Sequence, residues 1–333
     1  MSRSGSEALF IHPNLMAPPS VVRVAFIGAG YMASEHLRAF AACPDVQLVG
    51  IYSRSAERPA ALAKTHPGLK VFTCIEDLYT HTNADLVVIS VPELACQNVC
   101  EQAFKYPWTL LIEKPVGYNL TKALEIEQTA ISFRARAYVA LNRRFFNSTL
   151  QLQKSLEKIT DSRLVTILDQ EDPTSALAAG QPEEVVHNWM YANSIHLIDY
   201  FTQLCRGEHL RTDVLMPWNA EDPGPVVAQL QFSSGDIGLY QAVWDAPGPW
   251  SVAVSTTPLR AELRPIERLS LQKAGSRQAE LQATDPLDKE FKPGLLRQAQ
   301  AAIEAAKGNA TTLPSLKEAN RSMALVASIY GMK

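Results

Sequence analysis

Two short stretches of this chain hold residue types at spacings that can do chemistry. The first, Gly28-Ala29-Gly30-Tyr31-Met32-Ala33, has the form G-x-G-x-x-A. It joins an apolar run, Val21 to Ile27, to a segment with Ala33, Leu37, Phe40 and Ala41 at helical spacing. In a strand–turn–helix setting Gly28 permits a tight turn and Gly30 lets the backbone approach a diphosphate. Ala33 keeps the helix close to the sheet. Free N–H groups at Tyr31 and Met32 then face the phosphates, helped by the helix dipole. A glycine turn with no ligand fits the same six residues, so the surrounding elements must decide.

The next apolar run, Val46 to Tyr52, ends in Ser53-Arg54-Ser55. A carboxylate at this place binds the ribose hydroxyls of NAD. Here none is present to repel a 2′-phosphate. Arg54 can pair with that phosphate, and the Ser53 and Ser55 hydroxyls can donate to it. The reading is NADP(H) in preference, with NAD(H) as second choice. The alternative for Arg54 is a solvated loop residue.

The second stretch, Glu113-Lys114-Pro115, follows the apolar run Trp108 to Ile112. Further strand-like runs are Val71 to Thr73, Leu86 to Val91 and Ala137 to Leu141. Helical spacing covers Tyr31 to Cys43, Ala56 to Thr65, Leu94 to Phe104 and Thr121 to Phe133. Strands alternating with helices predict parallel pairing through crossover helices. Continuous apolar strands predict a sheet covered on both faces. Residues 21–142 therefore read as a doubly wound Rossmann domain. Glu113-Lys114-Pro115 then lies at a strand's carboxyl end, at the edge of the nucleotide crevice. Alone, Lys114 would read as an exposed strand-end lysine.

After Asn142 the pattern changes. A helix is predicted over Leu150 to Ile159 and a strand over Arg163 to Leu168. A polar stretch, Gln170 to Val186, leads to a helix from Trp189 to Leu204. Strand-like segments follow with little helix between them: Val226 to Phe232, Ile237 to Trp244, Ser251 to Ser255 and Arg260 to Leu263. Helices over Pro286 to Ala306 and Ser315 to Tyr330 close the chain. Residues 143–333 thus read as an α/β domain with a largely antiparallel sheet. Ala246-Pro247-Gly248-Pro249-Trp250 reads as a turn without chemistry.

Gly28-Ala29-Gly30, Val91-Pro92, Glu113-Lys114-Pro115 and Arg144-Phe145 together resemble the glucose–fructose oxidoreductase / inositol dehydrogenase / MocA (Gfo/Idh/MocA) family. The likeness is good over Val22 to Phe145 and looser beyond. It implies a Rossmann domain followed by an α/β domain whose open sheet makes homodimer or homotetramer contacts. It implies hydride transfer between nicotinamide and a carbon of a sugar, polyol or nucleotide-linked sugar. Val91, Pro92, Glu113 and Lys114 would border the cofactor. Lys114 would touch the substrate oxygen and share in proton transfer, a role that suits a desolvated lysine, with a cis bond to Pro115 aiming it inward.

The family's second catalytic element is an Asp and a His four residues apart on a helix. His196 fits the histidine, but Ala192 occupies the aspartate position. His196 is then an acid–base partner of Lys114, a substrate contact or a packed core residue. Asp199 reads as a structural cap or pair. Asn142, Arg144 and Asn193 are candidate substrate contacts, with Arg143, His187, Asn188, Trp189 and Tyr191 nearby. For Arg144, pairing with a substrate anion and an interdomain salt bridge stand equal. Ala192 also leaves open a nucleotide-binding regulatory homologue without turnover. An imine or biliverdin-type reductase is a third reading.

Composition narrows the rest. The chain has 333 residues, 47% hydrophobic and 20% charged, with a net charge of −3. That is an ordinary globular composition with no basic field for nucleic acid. No apolar run approaches the ~20 residues of a membrane span. Residues 1–20 read as an N-terminal arm. Five cysteines in odd number, without C-x-x-C, suggest thiols in a reducing cytoplasm and no zinc site.

Overall fold

The computed structural model describes residues 21–332. The N-terminal arm expected over residues 1–20 lies outside them. The first sheet is built from β1 (Val22–Ile27), β2 (Val46–Tyr52), β3 (Lys70–Phe72), β4 (Leu86–Ile89), β5 (Thr109–Glu113) and β6 (Arg136–Ala140). Its order is β3-β2-β1-β4-β5-β6, and every pairing is parallel. The connecting helices are α1 (Tyr31–Ala41), α2 (Glu57–Thr65), α3 (Ile75–Thr82), α4 (Glu93–Ala103) and α5 (Leu120–Phe133). Neighbouring residues of β4 serve opposite faces. Leu86 and Val88 pack with Val22, Phe26 and Leu37, while Val87 and Ile89 pack with Trp108, Leu110 and Cys100. Each such fully buried side chain contributes about 1.5–3 kcal/mol over exposure. This is why the strand has no polar alternation.

A one-turn 3-10 segment, Asn142–Phe145, leads into the second unit. There follow α6 (Asn147–Leu156), β7 (Leu164–Glu171), α7 (Pro173–Ala178), α8 (Glu183–His187), a π turn at Met190–Ser194 and α9 (Ile195–Leu204). Next come β8 (His209–Met216), β9 (Val226–Phe232), β10 (Ile237–Trp244), β11 (Ser251–Ser255), β12 (Leu259–Leu263), β13 (Leu269–Lys273) and β14 (Glu280–Leu281). The sheet order is β14-β13-β12-β11-β7-β10-β9-β8, antiparallel except where β10 runs parallel to β7. One face, with Val165, Ile167, Leu230 and Tyr240, packs on α9 and on α12 (Leu316–Tyr330). The other face, with Thr166, Leu168, Gln229 and Leu239, stays partly exposed.

The sequence reading did not give α3, β13 or β14, nor the π turn inside the helix expected from Trp189 to Leu204, and further local features differ from it. β8 was not expected, because it is an edge strand whose residues are mostly exposed and show no apolar alternation. The polar stretch after β7 holds two short helices, the first capped by the Asp172 carboxylate on the Ser175 N–H, 2.8 Å. The single helix expected over Pro286 to Ala306 is broken into α10 (Leu287–Glu290) and α11 (Leu295–Ala306). Pro293 disfavours helical backbone at Lys292, and Gly294 takes a left-handed φ of +78°.

All six strands of the first sheet precede residue 142, yet the C-terminal helices cross back. Leu295, Ala299 and Ile303 of α11 join the core that holds Val24, Phe26 and Leu111. On α12, Leu316 and Ala319 pack on the first domain, while Met323, Val326 and Tyr330 pack on the second. Its start is fixed by a capping box, Ser315 with Glu318. The chain order 143–333 is therefore not one packing unit. No described helix is long and apolar enough to cross a membrane.

Candidate functional site

The glycine turn sits where β1 meets α1. Gly28 has φ +111°, and a Cβ there would lie 1.9 Å from the Ser90 carbonyl oxygen, so no L-residue fits. A Cβ on Gly30 would meet nothing within 4 Å. Gly30 is also the N-cap of α1 and places no side chain over the helix start. Among the described residues the first N–H groups, from Tyr31 onward, thus have no side-chain cap, which suits a cradle for a diphosphate. Tyr31 is 66% exposed, with Lys292 Nζ 5.5 Å from its ring centroid. Val91 and Pro92 border the same turn from the end of β4, where Pro92 caps α4.

This geometry separates two variants. Gly28→Ala is expected to give unfolded or insoluble protein, because backbone must move. Gly30→Ala is expected to fold with unchanged urea midpoint and to lose pyridine-nucleotide affinity by at least about tenfold. Unchanged affinity in Gly30→Ala, measured by fluorescence titration, would remove the diphosphate from this turn. Beyond β2, Arg54 and Ser55 are exposed and Ser53 is half-buried. Among the described residues Arg54 has no hydrogen-bond or ion-pair partner, so its guanidinium is available to a ligand.

Lys114 follows β5 directly, and its peptide bond to Pro115 is cis. Its neighbour Glu113 is held by His36 Nε2 on α1, 2.7 Å away, and accepts the Lys114 backbone N–H at 3.1 Å. Lys114 Nζ donates to the Ala192 carbonyl oxygen at 2.9 Å. Ala192 lies in the π turn. A π turn departs from the i→i+4 ladder and is a frequent feature of functional sites. Burial lowers the Lys114 pKa and Arg143 adds to this, while Glu113, Glu93 and Glu171 oppose it.

His196, 8% exposed, is in the first turn of α9, its ring 6.4 Å from that of Trp250. Burial, then the charges of Arg143, Lys114 and Lys292, push its pKa well below the usual histidine value. The imidazole is therefore neutral at neutral pH. Beside it opens a cleft of about 550 Å³ lined by Gln170, Asp172, Gln181, Trp189, Asn193 and Trp250, among others. Lys114 thus reaches the π turn through Ala192, and His196 follows that turn on α9; neither lines the cleft itself, which the His196 ring approaches through Trp250.

Not every predicted contact is brought here. Arg144 is corrected: Nε and Nη2 donate to the two Asp199 oxygens at 2.8 and 2.6 Å, so its charge is already paired. Asp199 is accordingly a structural partner. Asn142 turns its amide to the Pro293 carbonyl at 3.1 Å, at the entry to α11 and away from the cleft lining. Asn193 does line the cleft, though its amide N–H donates to Glu171 Oε2 at 2.8 Å. His187 is exposed and Tyr191 is core.

Sequence reasoning missed Glu171, His36 and the Gly248–Trp250 wall. The turn composition of 246–250 hid Trp250. The one available signal was an indole at a strand start in a polar turn. Among the described residues no group of three or more His, Cys, Asp or Glu is placed to hold a metal ion.

Residues 22–141 match the model of an oxidoreductase family with an NAD-binding Rossmann fold, GFO_IDH_MocA. A curated relative, scyllo-inositol 2-dehydrogenase (NADP(+)) IolU of Bacillus subtilis strain 168, is 27% identical over 146 residues, 44% of each chain. The match thus spans less than half of that relative's length. Among solved structures, a dehydrogenase from Chromobacterium violaceum superposes with TM-score 0.79 at 16% identity, covering 94% of this chain and 95% of that one. The WlbA dehydrogenase from Bordetella pertussis, in complex with NADH and UDP-GlcNAcA, superposes with TM-score 0.73 at 17% identity, covering 94% and 95%. These structures share the whole two-domain fold.

Proposed function

From membership of the Gfo/Idh/MocA oxidoreductase family, to which the chain belongs, we propose an NADP(H)-dependent oxidoreductase. It acts on a carbinol or carbonyl carbon of a sugar, polyol or nucleotide-linked sugar. The observation that carries this reading is Lys114, desolvated at the tip of β5 near a neutral His196, in the same parallel sheet whose β1 leads into the uncapped start of α1. When bound, the nicotinamide supplies or accepts the hydride. Lys114 Nζ takes the hydroxyl proton in oxidation and returns it in reduction, held in line by the Ala192 carbonyl. His196 hydrogen-bonds the same oxygen as a neutral ring. Trp189 and Trp250 offer faces for a sugar ring, and Gln170 and Gln181 offer hydroxyl partners. Those amide groups argue against an imine or biliverdin-type substrate.

The test is stopped-flow reading of nicotinamide absorbance with a polyol and sugar panel. Ala192 in the aspartate position supports a second reading, a nucleotide-binding protein without turnover. Tight NADPH binding with no hydride exchange over the panel selects it.

The 2′-phosphate assignment rests on Arg54. Arg54→Ala is expected to weaken NADPH roughly 10–100-fold, the worth of a charge-assisted hydrogen bond, with NADH little changed. An equal effect on both nucleotides in calorimetry removes the NADP(H) preference. The partly exposed face of the second sheet, with Leu168, Val227 and Leu239, suits a second copy of this chain. The expected assembly is a homodimer or homotetramer, read by light scattering. Free thiols at Cys43, Cys74, Cys96, Cys100 and Cys205 fit a cytoplasmic setting.

A further inference from the structure

The region around His196 carries more positive charge than the protein balances. Among the described residues Arg143 has neither a hydrogen-bond nor an ion-pair partner for its guanidinium. Its guanidinium carbon lies 4.9 Å over the Trp250 ring, and that indole is a wall of the cleft. Its Nε is enclosed with no hydrogen-bond partner, and no described residue forms an ion pair with it. The neighbouring Arg144 satisfies both Nε and Nη2 on Asp199, so the two arginines of one 3-10 turn have opposite fates. A cation withdrawn from water without a partner is costly, and here the residue keeps partial exposure and touches the cleft wall through Trp250.

The groups facing Arg143 do not neutralise it. Lys114 is a basic group and no countercharge, and His196 is held neutral. Tyr200 donates to or accepts from Thr149 at 2.8 Å, and burial pushes it up to about 12, so it carries no charge. Asp169 accepts from Tyr240 at 2.6 Å, and Glu171 accepts from Asn193 and Ser194. These two carboxyls sit on the same face of β7, and burial raises both. Such a buried pair does not hold two full negative charges. Glu267 is exposed on the turn between β12 and β13. Ala192 supplies no carboxylate.

We propose that Arg143 anchors an oxyanion of the substrate, so that the cleft takes a sugar or polyol bearing a carboxylate or phosphate over its neutral parent. A planar fork over an indole face is suited to bidentate contact with such a group. This rests on the oxidoreductase reading and narrows its substrate class.

The test is calorimetric titration of the NADP+-loaded protein with D-gluconate, D-glucuronate, glucose 6-phosphate, D-glucose and myo-inositol. Wild type, Arg143→Gln and Arg143→Lys are compared. At least one acid is expected to bind tenfold or more tightly than the neutral sugars. Arg143→Gln is expected to remove roughly 10–100-fold of that affinity and to leave NADP+ affinity unchanged, which also reports folding. Arg143→Lys is expected to retain part of it. Preference for gluconate or glucuronate assigns a carboxylate, and preference for the phosphate ester assigns that instead. Neutral sugars binding as well as every acid, no acid binding at all, or equal loss of both classes in Arg143→Gln overturns the inference alone. Failure of wild type to bind either NADP+ or NAD+ overturns the oxidoreductase reading and this inference with it.

Discussion

Lys114→Met is expected to lower kcat by about 10²–10⁴-fold, the usual worth of a positioned acid–base group, with pyridine-nucleotide affinity changed only severalfold. Methionine keeps the length and apolar stem of the side chain but removes the donor to Ala192 O. The pH profile sharpens the test. Oxidation needs the neutral amine, so its rate rises with pH through the Lys114 pKa. Burial lowers that pKa from the ordinary lysine value of 10.5, so the rising limb lies below it. Reduction needs the ammonium and falls over the same window. His196 protonates only well below its ordinary value of 6.5, so it adds no limb near neutrality. Lys114→Arg stays charged at every working pH and is expected to abolish oxidation without restoring a limb. A Lys114→Met enzyme with wild-type kcat, or an oxidation limb that survives the substitution, removes Lys114 from the chemistry.

Why was this lysine legible in the sequence and its surroundings not? Gly28, Gly30 and Lys114 sit at the ends of β1 and β5, and buried parallel strands announce themselves by continuous apolar runs. A strand end in such a sheet points at the crevice whatever follows later in the chain. The same logic made all six strands of the first sheet readable. The second half of the site is assembled across long sequence separations. Glu171 reaches Asn193 only because β7 ends beneath the π turn, and nothing local signals that. The π turn itself defeats counting by four, since Ala192 meets Lys114 through its backbone carbonyl, which has no residue identity. His36 lies on the helix face read as packing, yet its ring fixes Glu113. α11 was visible as a helix, but its return to the first domain is a tertiary fact written in Leu295, Ala299 and Ile303 meeting Phe26 and Leu111.

Arg144 poses the clearest case of a residue whose type fits two jobs, and its pairing makes a large stability effect the expected result. The pair is enclosed, with side chains 12% and 5% exposed. Asp199 also accepts from Ser322 at 2.6 Å and Thr202 at 3.2 Å. Asp199→Ala leaves a buried guanidinium without its countercharge, and removing one partner of such a pair costs about 3–5 kcal/mol. Arg144→Ala leaves the carboxylate its two hydroxyl donors and is expected to cost less. The double variant is expected to cost less than the two single losses added, because it leaves no orphan charge. Urea unfolding of the four proteins reads all three terms. Acid gives an independent check. Burial pushes the Asp199 pKa up, but Arg144 and the hydroxyl donors outweigh this and hold it below the unfolded value of 3.8. A depressed carboxyl adds stability that is complete above the unfolded value and is lost as pH falls through the folded one. The wild type should therefore lose more stability than Asp199→Ala on acidification below about pH 4. Single variants as stable as the wild type at neutral pH would release Arg144 to contact substrate after all.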